Sequence, residues 1–426
     1  MSYDTVVIGA GLAGLTTACH LARANQKVLL LAYGLGALLL APGGIDVLGF
    51  TSAQDKAPLP NPLDGLAAFL ENYPDHPYQI LGRKNIEAGL TAFQELVNNA
   101  NLIYQGQPDR NWLLPGGAGA VHPTCLAPVS LVNGELSQRG KLLIVGFKEL
   151  RDYYPALISQ NLNAQGLGVT ADSLTIELPR VPVANQQNVT PLELAHAFET
   201  VEFRRQIVNA LKNKHKGYGR LGFPAVLGLE KHEEVVADLQ KAFGKPVFEI
   251  STLPPSVPGR RLFEALKRTL LQAGGKMIIG SKVVDGTIEA GQVTQIRFET
   301  ASRLKAIKAG SYVLATGGIF SGGVQTEADG GLGRVWEPIF GLPIMADSNR
   351  HRWFAKGFLD PKGQPFASFG VRVNAQLNPV DETNAPVAQN LYIAGASLAG
   401  ADWTLGRTGG GVALASAAAI IAQIGQ

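Results

Sequence analysis

The sequence predicts an α/β fold in which a doubly wound sheet is assembled from discontinuous segments and a second, mixed α/β domain is inserted into it. Strand–glycine motifs at residues 5–14, 312–318 and 390–396 are the main observation, and glycines at 409–411 open a final alanine-rich helix. Aliphatic runs that end directly in glycine are typical of buried parallel strands followed by tight turns. Residues 63–250 alternate helical stretches with short strands and lack such glycine turns, which indicates a separate domain.

Shifts in composition divide the chain into segments. A linker rich in proline, asparagine and aspartate follows the first glycine motif, and a proline-rich stretch precedes the second. We expect residues 1–50, 254–320 and 366–426 to form the doubly wound domain. Residues 51–253 would form the insertion, and residues 321–365 would return to it. The functional site should then lie between the two domains, where pockets commonly form.

Charge and cysteine content exclude several classes of protein. Lys and Arg total 37 and Asp and Glu total 34, and a formal charge of +3 over 426 residues argues against a nucleic-acid-binding protein. Two cysteines, Cys19 and Cys125, cannot supply a cysteine-ligated iron–sulfur cluster or a four-thiolate zinc site. Since the seven histidines are scattered, we expect no metal.

We expect no transmembrane segment and a cytoplasmic setting. The longest weakly polar stretch, residues 412–424, contains Ser416 and Gln423 and has about 13 residues, too few to span a bilayer. A signal peptide has a basic region ahead of its apolar run, and the first apolar run of this sequence has none.

The first motif has the form of a phosphate-binding turn. Gly9 permits a tight turn, Gly11 the close approach of a phosphate, and Gly14 the contact between helix and strand. The following helix would direct its free N–H groups and positive dipole end at the phosphate. Because the glycines stand between a strand and a helix, we favour nucleotide binding over a purely structural turn.

One expected feature is missing from the second strand. In dinucleotide-binding folds an acidic residue about 20 positions on holds the adenosine ribose. The strand at residues 28–31 ends instead at Ala32 and Tyr33, neither of which carries a carboxylate. The missing carboxylate argues against NAD as the ligand, and also against a standard adenine dinucleotide.

Taken in order, the three motifs resemble those of flavoproteins with the Rossmann-like, glutathione-reductase-type fold. In that superfamily the turn at residues 315–317 packs near the phosphate and adenosine side. The strand–glycine motif at 393–396 lies over the ribityl chain, and the last helix directs its N-terminus at the flavin ring. The resemblance implies a non-covalently bound flavin. Including Arg261, which we consider able to pair with phosphate, the expected contacts are Gly9, Gly11, Leu12, Ala13, Gly14, Gly43, Gly44, Arg261, Val283, Ala315, Thr316, Gly317, Gly395, Ala396, Gly410, Gly411 and Val412.

Residues 41–48, 143–147, 222–229, 253–262 and 409–412 are similar to the family of B subunits of anaerobic glycerol-3-phosphate dehydrogenase. The resemblance implies oxidation of glycerol 3-phosphate to dihydroxyacetone phosphate in anaerobic respiration, with electrons passed to a quinone. It also implies two partners, an FAD-bearing catalytic subunit and an iron–sulfur subunit that holds the complex at the inner face of the membrane.

The cofactor preference follows from two opposing observations. The glycine motifs favour FAD, whereas the missing acid at Ala32 favours FMN, which has no adenosine ribose to hold. The absence of an acid at Ala396 is also consistent with the subfamily. We slightly favour FMN over FAD. If the flavin is FAD, backbone near Val283 and Ala315 would have to hold its adenosine.

Two residues are candidates for the chemistry. His122 is the acid–base candidate, because histidine exchanges protons near neutral pH, although a structural histidine is the alternative. Arg407 precedes the last helix, where it could bind a substrate phosphate or carboxylate, stabilise reduced flavin, or form a loop ion pair with Asp402. Asp46 is either a hydrogen-bond partner of the flavin or a helix cap.

Two other functions remain open at this point. The chain could be a stand-alone flavin oxidoreductase acting on another small molecule. It could also be a non-catalytic subunit for electron relay or scaffolding. The sequence offers no iron–sulfur ligands and no membrane segment, so delivery of electrons to a quinone requires a partner.

Overall fold

A computed structural model describes residues 2–179, 188–329 and 332–425 of the chain. The helices are α1 (Leu12–Arg23), α2 (Leu66–Asn72), α3 (Tyr78–Asn99), α4 (Val129–Val132), α5 (Pro155–Ala164), α6 (Pro191–Phe198), α7 (Val201–Leu211), α8 (His232–Phe243), α9 (Val257–Gln272) and α10 (Gly409–Ile424). The strands up to the second glycine motif are β1 (Ser2–Ile8), β2 (Val28–Ala32), β3 (Tyr104–Gly106), β4 (Trp112–Pro115), β5 (Val121–Thr124), β6 (Leu126–Pro128), β7 (Gly140–Phe147), β8 (Val169–Ile176), β9 (Arg220–Pro224), β10 (Val247–Ile250), β11 (Lys276–Ile279), β12 (Val283–Glu289), β13 (Gln292–Glu299) and β14 (Leu304–Leu314). The remaining strands are β15 (Gln325–Asp329), β16 (Leu332–Trp336), β17 (Ile344–Met345), β18 (Gly370–Val371) and β19 (Leu391–Ile393).

The larger sheet has seven strands in the order β11-β2-β1-β14-β13-β12, with β19 beside β14. β1 runs parallel to both β2 and β14, and β14 runs parallel to β19. The turn residues at Gly291 and Gln292 predict a hairpin, which β12 and β13 form, and β14 pairs with β13 in antiparallel orientation. The carboxyl ends of β1, β14 and β19 therefore meet at one edge of the sheet, and each of the three glycine motifs begins at that edge.

Helix α10 lies against α1 and α3, and α9 also contacts α1. α10 is rich in alanine, and its residues from Gly411 to Ala417 are all buried. Small side chains let helices approach closely, so this composition suits a helix enclosed by two neighbours. The N-terminal end of α10 is thereby fixed relative to the sheet edge.

The smaller sheet contains four parallel strands in the order β10-β9-β7-β8. Its core is a separate cluster that runs from Leu136 to Ile250 and includes Phe147, Phe198 and Phe223. Strands buried on both faces are expected to be continuously apolar, and residues 142–145 of β7 match that pattern. The chain is therefore a mixed α/β structure with two main cores.

Three details differ from the sequence-based expectation. We expect residues 51–253 in the insertion, but Leu90 and Phe93 of α3 belong to the core of the larger sheet. The spacing of apolar residues predicts one helix over residues 191–214, but the chain forms two: α6 ends at Phe198 and α7 begins after its N-cap residue, Thr200. Residues around Trp353, which we expect to return to the insertion, form a small cluster of their own with Val324 and Phe369.

Within the described ranges, no helix combines the length and the apolar character needed to cross a bilayer. Among those same residues, no three His, Cys, Asp or Glu side chains are grouped in a way that could hold a metal ion.

Candidate functional site

The turn after β1 is held against the end of β14. The Ala315 N–H donates to the Ile8 carbonyl over 2.8 Å. A Cβ on Gly9, whose φ is +117°, would lie 2.2 Å from the Ala315 oxygen, and one on Gly14 would lie 2.1 Å from the Gly9 oxygen. Two of the three motif glycines are therefore required by close backbone packing.

Gly11 differs from its two neighbours. A Cβ at Gly11 would have no described atom within 4 Å, so the position faces open space. Gly11 begins α1 without a side-chain cap from the described residues, which leaves the first-turn N–H groups, including those of Leu12 and Ala13, available for an external acceptor. This is the arrangement that a phosphate group needs. The backbone of Gly36 lies beside Gly11, a contact that sequence reasoning missed.

Serine hydroxyl groups connect the second motif to the third, and the third motif to α10. The Gly317 N–H donates to Ser397 Oγ over 3.0 Å, and the Gly395 N–H donates to Ser416 Oγ over 2.9 Å. Ala396 lies beside Gly318 through its carbonyl oxygen. Thr316 Oγ1 is buried without a hydrogen-bond partner among the described residues. A buried hydroxyl without a partner is costly, so Thr316 and the open turn at Gly11 together fit a polar ligand along this edge.

The strand end that should hold an adenosine ribose carries no acid. Ala32 at the end of β2 is buried, and its carbonyl accepts hydrogen bonds from the Gly280 and Ser281 N–H groups. Val283 follows at the start of β12 with its side chain in the core. The groups that contact the end of β2 here are therefore backbone N–H groups and not a carboxylate.

His122, Asp46 and Arg407 form a cluster at the N-terminal end of α10. His122 lies on β5, and its Nε2 is 2.9 Å from Asp46 Oδ1 and 2.8 Å from Oδ2. Its Nδ1 is 3.1 Å from Nη1 of Arg407. The His122 and Asp46 side chains are 18% and 19% exposed, so the pair is largely shielded but can still be reached. We refer to these three residues as the His122 cluster.

The contacts of His122 define its tautomer. A guanidinium group can only donate, so Nδ1 must accept from Arg407, and Nε2 then carries the proton and donates to Asp46. Burial alone would raise the pKa of the Asp46 carboxyl group. The neighbouring His122 and Arg407 outweigh burial and hold that pKa below its ordinary value. Asp46 is therefore a carboxylate that can stabilise a positive charge on the imidazole.

The segment that carries Asp46 is fixed on both sides. Ile45 forms an isolated bridge with Leu126, which brings the segment alongside β5 and β6. Tyr104 donates its hydroxyl to the Gly43 carbonyl over 2.6 Å, and a Cβ on Gly44 would lie 2.6 Å from Thr124 Oγ1. Gly43 and Gly44 thus allow the chain to pass between neighbouring elements.

The first turn of α10 is in contact with this segment and not open. The Gly411 N–H donates to the Asp46 carbonyl over 2.8 Å, and a Cβ on Gly410 would lie 2.9 Å from the Asp46 nitrogen. Val412 is buried, and its N–H donates to the Thr408 carbonyl. We expect from the sequence that this helix end points freely at a flavin, but the N–H group of Gly411 already has a partner within the protein.

Arg261 requires a correction. It is 4% exposed, and Nη1 and Nη2 bind the two carboxylate oxygens of Glu249 over 2.7 and 2.9 Å, while Nε donates to the Gly228 carbonyl. It is neither exposed to solvent nor free for a phosphate. Burial would raise the pKa of Glu249, but Arg261 outweighs it and lowers that pKa to about 2. A guanidinium already paired in this bidentate way has little capacity left for a cofactor.

Sequence reasoning did not identify the pairing of Asp46 with His122, because 76 residues separate them. The proposed ion pair between Arg407 and Asp402 is also not what the structure contains. Asp402 Oδ1 instead accepts hydrogen bonds from the Thr404 N–H and hydroxyl groups. A cleft of about 220 Å³ beside the start of α3, lined by His76 and Arg372, does not include the His122 cluster.

The comparison with known families defines the class of protein. The family described as an FAD binding domain matches residues 4–413, so the chain is a flavin-binding oxidoreductase. Looser structural likenesses include an open flavocytochrome c3 fumarate reductase, with a TM-score of 0.44, 11% identity, and coverage of 100% of this chain and 78% of that one. The 3-ketosteroid Δ1-dehydrogenase of Sterolibacterium denitrificans has a TM-score of 0.42, 11% identity, and coverage of 100% and 99%.

Full-length relatives narrow this class. A protein of Vibrio cholerae strain M66-2, named as the B subunit of anaerobic glycerol-3-phosphate dehydrogenase, is 31% identical over 440 residues, covering 100% of this chain and 97% of the relative. The B subunit of the same enzyme from Pectobacterium carotovorum is 32% identical, with coverage of 100% and 99%. A protein of Halobacterium salinarum strain R1, named as a probable B subunit, is 32% identical, with coverage of 97% and 95%.

The chain belongs to the family of B subunits of anaerobic glycerol-3-phosphate dehydrogenase. This confirms the resemblance drawn from the sequence and disfavours both a stand-alone oxidoreductase and a scaffold. Flavin binding is also confirmed at the level of the family. The matched family is described for FAD, so the preference for FMN stays a prediction that this match does not favour.

Proposed function

We propose that this chain is the flavin-bearing B subunit of a complex that oxidises glycerol 3-phosphate to dihydroxyacetone phosphate and passes the electrons to a quinone. The single observation that supports a chemical role is the His122 cluster at the N-terminal end of α10. It combines a group that can exchange a proton with a cation that can bind phosphate. Oxidation of glycerol 3-phosphate requires a base for the hydroxyl proton and a site for the phosphate group.

In this proposal His122 is the base. Conversion of the secondary alcohol to a ketone removes a hydride from carbon and a proton from the hydroxyl group, and a bound flavin supplies the hydride acceptor. Nδ1 of His122 takes the proton once Arg407 has turned away to the substrate. Asp46, which accepts the Nε2 hydrogen, then stabilises the positive imidazolium.

Arg407 is proposed to bind the phosphate of the substrate. A guanidinium group can contact phosphate through two parallel hydrogen bonds, which fixes orientation as well as charge. Its backbone has a φ of +58°, a value uncommon for residues other than glycine. Such a conformation persists only where surrounding structure imposes it, and this supports a functional position.

For the cofactor we propose FAD, in view of the matched family and the two retained glycine motifs. Gly11, Leu12 and Ala13 would bind its phosphates, Thr316 would lie on its phosphate and adenosine side, and Gly395 would lie along its ribityl chain. Backbone near Ala32 and Val283 would hold the adenosine. Mass analysis of the released cofactor tests this, and FMN alone would overturn it. If the adenosine site is intact, Ala32→Glu should strengthen retention of FAD relative to FMN.

We further propose that a second, FAD-bearing subunit and an iron–sulfur subunit complete the complex, and that the iron–sulfur subunit brings it to the inner face of the cytoplasmic membrane. We also propose a division into a flavin-binding domain and an inserted domain. The core from Leu136 to Ile250 would belong to the insertion, whereas α3 would belong to the flavin-binding domain.

The decisive experiment reconstitutes the chain with its two partner subunits and follows reduction of a quinone analogue by glycerol 3-phosphate. His122→Gln in this chain should lower kcat by roughly 100-fold or more, as expected of an acid–base group. Asp46→Asn should lower kcat less and shift the pH profile, while Arg407→Lys should mainly raise KM. Unchanged kinetics in all three variants would show that this chain does not catalyse the oxidation. Full quinone reduction by the chain alone would show that it needs no partner subunit.

A further inference from the structure

His76, which stands just before α3, is hydrogen-bonded to the residue that follows Arg407 in the chain. Its Nε2 lies 3.0 Å from the hydroxyl oxygen of Thr408, and the two residues are 3% and 0% exposed. The Tyr78 N–H donates to Nδ1 over 3.2 Å, so Nδ1 accepts, and Nε2 carries the proton that it donates to Thr408. Burial lowers the pKa of His76 to about 3, so the imidazole keeps this neutral form near pH 7.

Two aromatic rings fix the orientation of the His76 ring. Its centroid lies 4.9 Å from that of Phe69 and 4.6 Å from that of Tyr78, at interplanar angles of 82° and 64°. Edge-to-face contacts of this kind favour one orientation of a ring over others. The hydrogen bond to Thr408 is therefore in place before any substrate binds.

The backbone of Arg407 is anchored on both sides. Thr408 is held by His76, and the Gly406 carbonyl accepts from the Gly49 N–H over 2.7 Å. Arg407 lies between these anchors with a φ of +58°, a conformation that persists for a residue with a side chain only where its surroundings impose it. Because the backbone is fixed, the guanidinium group can turn toward a substrate phosphate without a shift of the chain.

Tyr78, the first residue of α3, holds the other segment of the His122 cluster. Its hydroxyl group donates to the carbonyl of Val47, the residue that follows Asp46, over 2.6 Å. The Gly411 N–H donates to the Asp46 carbonyl over 2.8 Å, so two adjacent carbonyls anchor this segment. Among the described residues, no hydrogen bond joins the side chain of His76 or Tyr78 to a side chain of the cluster. Both residues therefore act on the cluster through the backbone that they hold.

We propose that His76 and Tyr78 are positioning residues for the oxidation of the substrate and that they have separate targets. His76 holds Arg407, which binds the substrate phosphate, whereas Tyr78 holds Asp46, which stabilises the imidazolium of His122. Loss of the His76 contact should consequently weaken substrate binding, and loss of the Tyr78 contact should slow the chemical step. The inference rests on the proposed function, since it requires the His122 cluster to act on the substrate.

The kinetic test uses the reconstituted complex with glycerol 3-phosphate and a quinone analogue, and each rate is divided by the flavin content. Thr408→Val removes the oxygen that accepts from His76 and should raise KM by about 3- to 10-fold, the equivalent of one lost hydrogen bond, with kcat within ~2-fold of wild type. Thr408→Ser retains the oxygen and should restore KM. Tyr78→Phe should lower kcat by about 3- to 10-fold with little change in KM.

A double-mutant cycle and a remote histidine separate positioning from a general loss of stability. His76→Phe should raise KM as Thr408→Val does, and the double variant should raise it no further, because both changes remove the same contact. His20→Phe is the matched control. His20 is half-buried on α1, and its Nε2 is 3.2 Å from the Ala92 carbonyl oxygen, so this change should cost stability and leave KM and kcat unaltered. A wild-type KM in Thr408→Val, an equal KM in Thr408→Val and Thr408→Ser, or additive effects in the double variant would overturn the proposal.

A spectroscopic measurement on the chain alone needs neither substrate nor partner. In protein labelled with ¹⁵N-histidine, the Nδ1 resonance of His122 reports the hydrogen bond from Arg407, and Arg407→Ala gives its position without that bond. Thr408→Val should move the resonance toward that position, whereas His20→Phe should not. An unmoved resonance in Thr408→Val overturns the positioning of Arg407. If the resonance moves but Arg407→Lys leaves KM at its wild-type value, the positioning by His76 stands and the proposed role of Arg407 in substrate binding fails.

Discussion

The two glycine-rich helix starts of this protein look alike in sequence and differ in structure. At α1, Gly11 faces open space and the first-turn N–H groups have no side-chain cap among the described residues. At α10, Gly410 and Gly411 lie against the Asp46 backbone, and a Cβ on Gly411 would be 1.9 Å from the Tyr78 hydroxyl oxygen. Space is open beside the first start, whereas other parts of the protein occupy the space beside the second.

The comparison shows that glycine can stand at a helix start for two reasons. One position leaves room for a side chain, as Gly11 does, and such room can admit a ligand. A position that must admit other parts of the chain has none, as at Gly9, Gly14 and Gly411. Substitutions should therefore separate into those that affect cofactor binding and those that affect folding.

The largest expected effect is a loss of stability when the buried ion pair between Arg261 and Glu249 is broken. Glu249→Gln leaves the guanidinium buried without its counter-ion, and should lower the free energy of unfolding by ~3–5 kcal/mol. Urea denaturation at pH 7 measures this. The double variant Glu249→Met with Arg261→Met should recover most of the loss, since it removes both charges. Equal stability of the single variant and wild type would show that the ion pair contributes nothing to the free energy of unfolding.

A paired substitution tests the open start. Gly9→Ala should destabilise the protein by ~3 kcal/mol or more, because its φ is +117° and its Cβ would meet a backbone carbonyl. Gly11→Val should instead leave the unfolding midpoint of the flavin-free protein close to wild type and abolish flavin retention. Absorbance at 450 nm after gel filtration gives the flavin content. A folded Gly11→Val protein with a full complement of flavin would contradict the phosphate assignment.

The closed start has its own pair of variants. Gly411→Ala should cost ~1–3 kcal/mol, since the new methyl group overlaps the Tyr78 hydroxyl. Adding Tyr78→Phe removes the hydroxyl and should recover part of that cost, although it also loses the 2.6 Å bond to the Val47 carbonyl. Thermal unfolding of the three variants provides the measurement. Purely additive losses would show that the two groups do not collide.

The smallest effect is a pH dependence at the closed start. His76 Nε2 lies 3.0 Å from Thr408 Oγ1, and burial lowers the pKa of His76 from 6.5 to about 3. Between pH 6.5 and pH 3, His76 is therefore protonated in the unfolded chain but not in the folded chain. The free energy of unfolding has its full value above pH 6.5 and falls as the pH decreases. At pH 5.5 the loss from His76 should be ~1 kcal/mol.

Denaturant titrations of wild type and His76→Gln at pH 7.5 and 5.5 check this dependence. The variant should be less stable at pH 7.5, because it loses the bond to Thr408, but its stability should change less between the two values. His232, whose pKa burial lowers to about 4, adds a similar dependence that remains in both proteins. If both proteins lose the same free energy of unfolding between pH 7.5 and pH 5.5, His76 does not remain neutral in the folded protein.

Much of the fold could be predicted from the sequence because its determinants are local. The strand–glycine–helix order at Gly9, the hairpin of β12 and β13, and the alanine-rich α10 each depend on periodicity and turn sterics within about a dozen residues. The break between α6 and α7 could not be predicted in the same way, because Thr200 fits equally well inside a helix or as its cap. Amphipathic spacing in α3 indicates a buried face, but it does not specify which core that face joins.

The sequence by itself determined which residue types could perform the chemistry, and it selected His122 and Arg407 separately. Only the tertiary structure decided that they meet, that Asp46 stands between His122 and the start of α10, and that Arg261 is committed to Glu249. His122 and Arg407 are 285 residues apart in the chain. Local backbone preferences act over a few residues, whereas contacts at such separations are set by how the sheets and helices pack, and packing is a property of the whole chain.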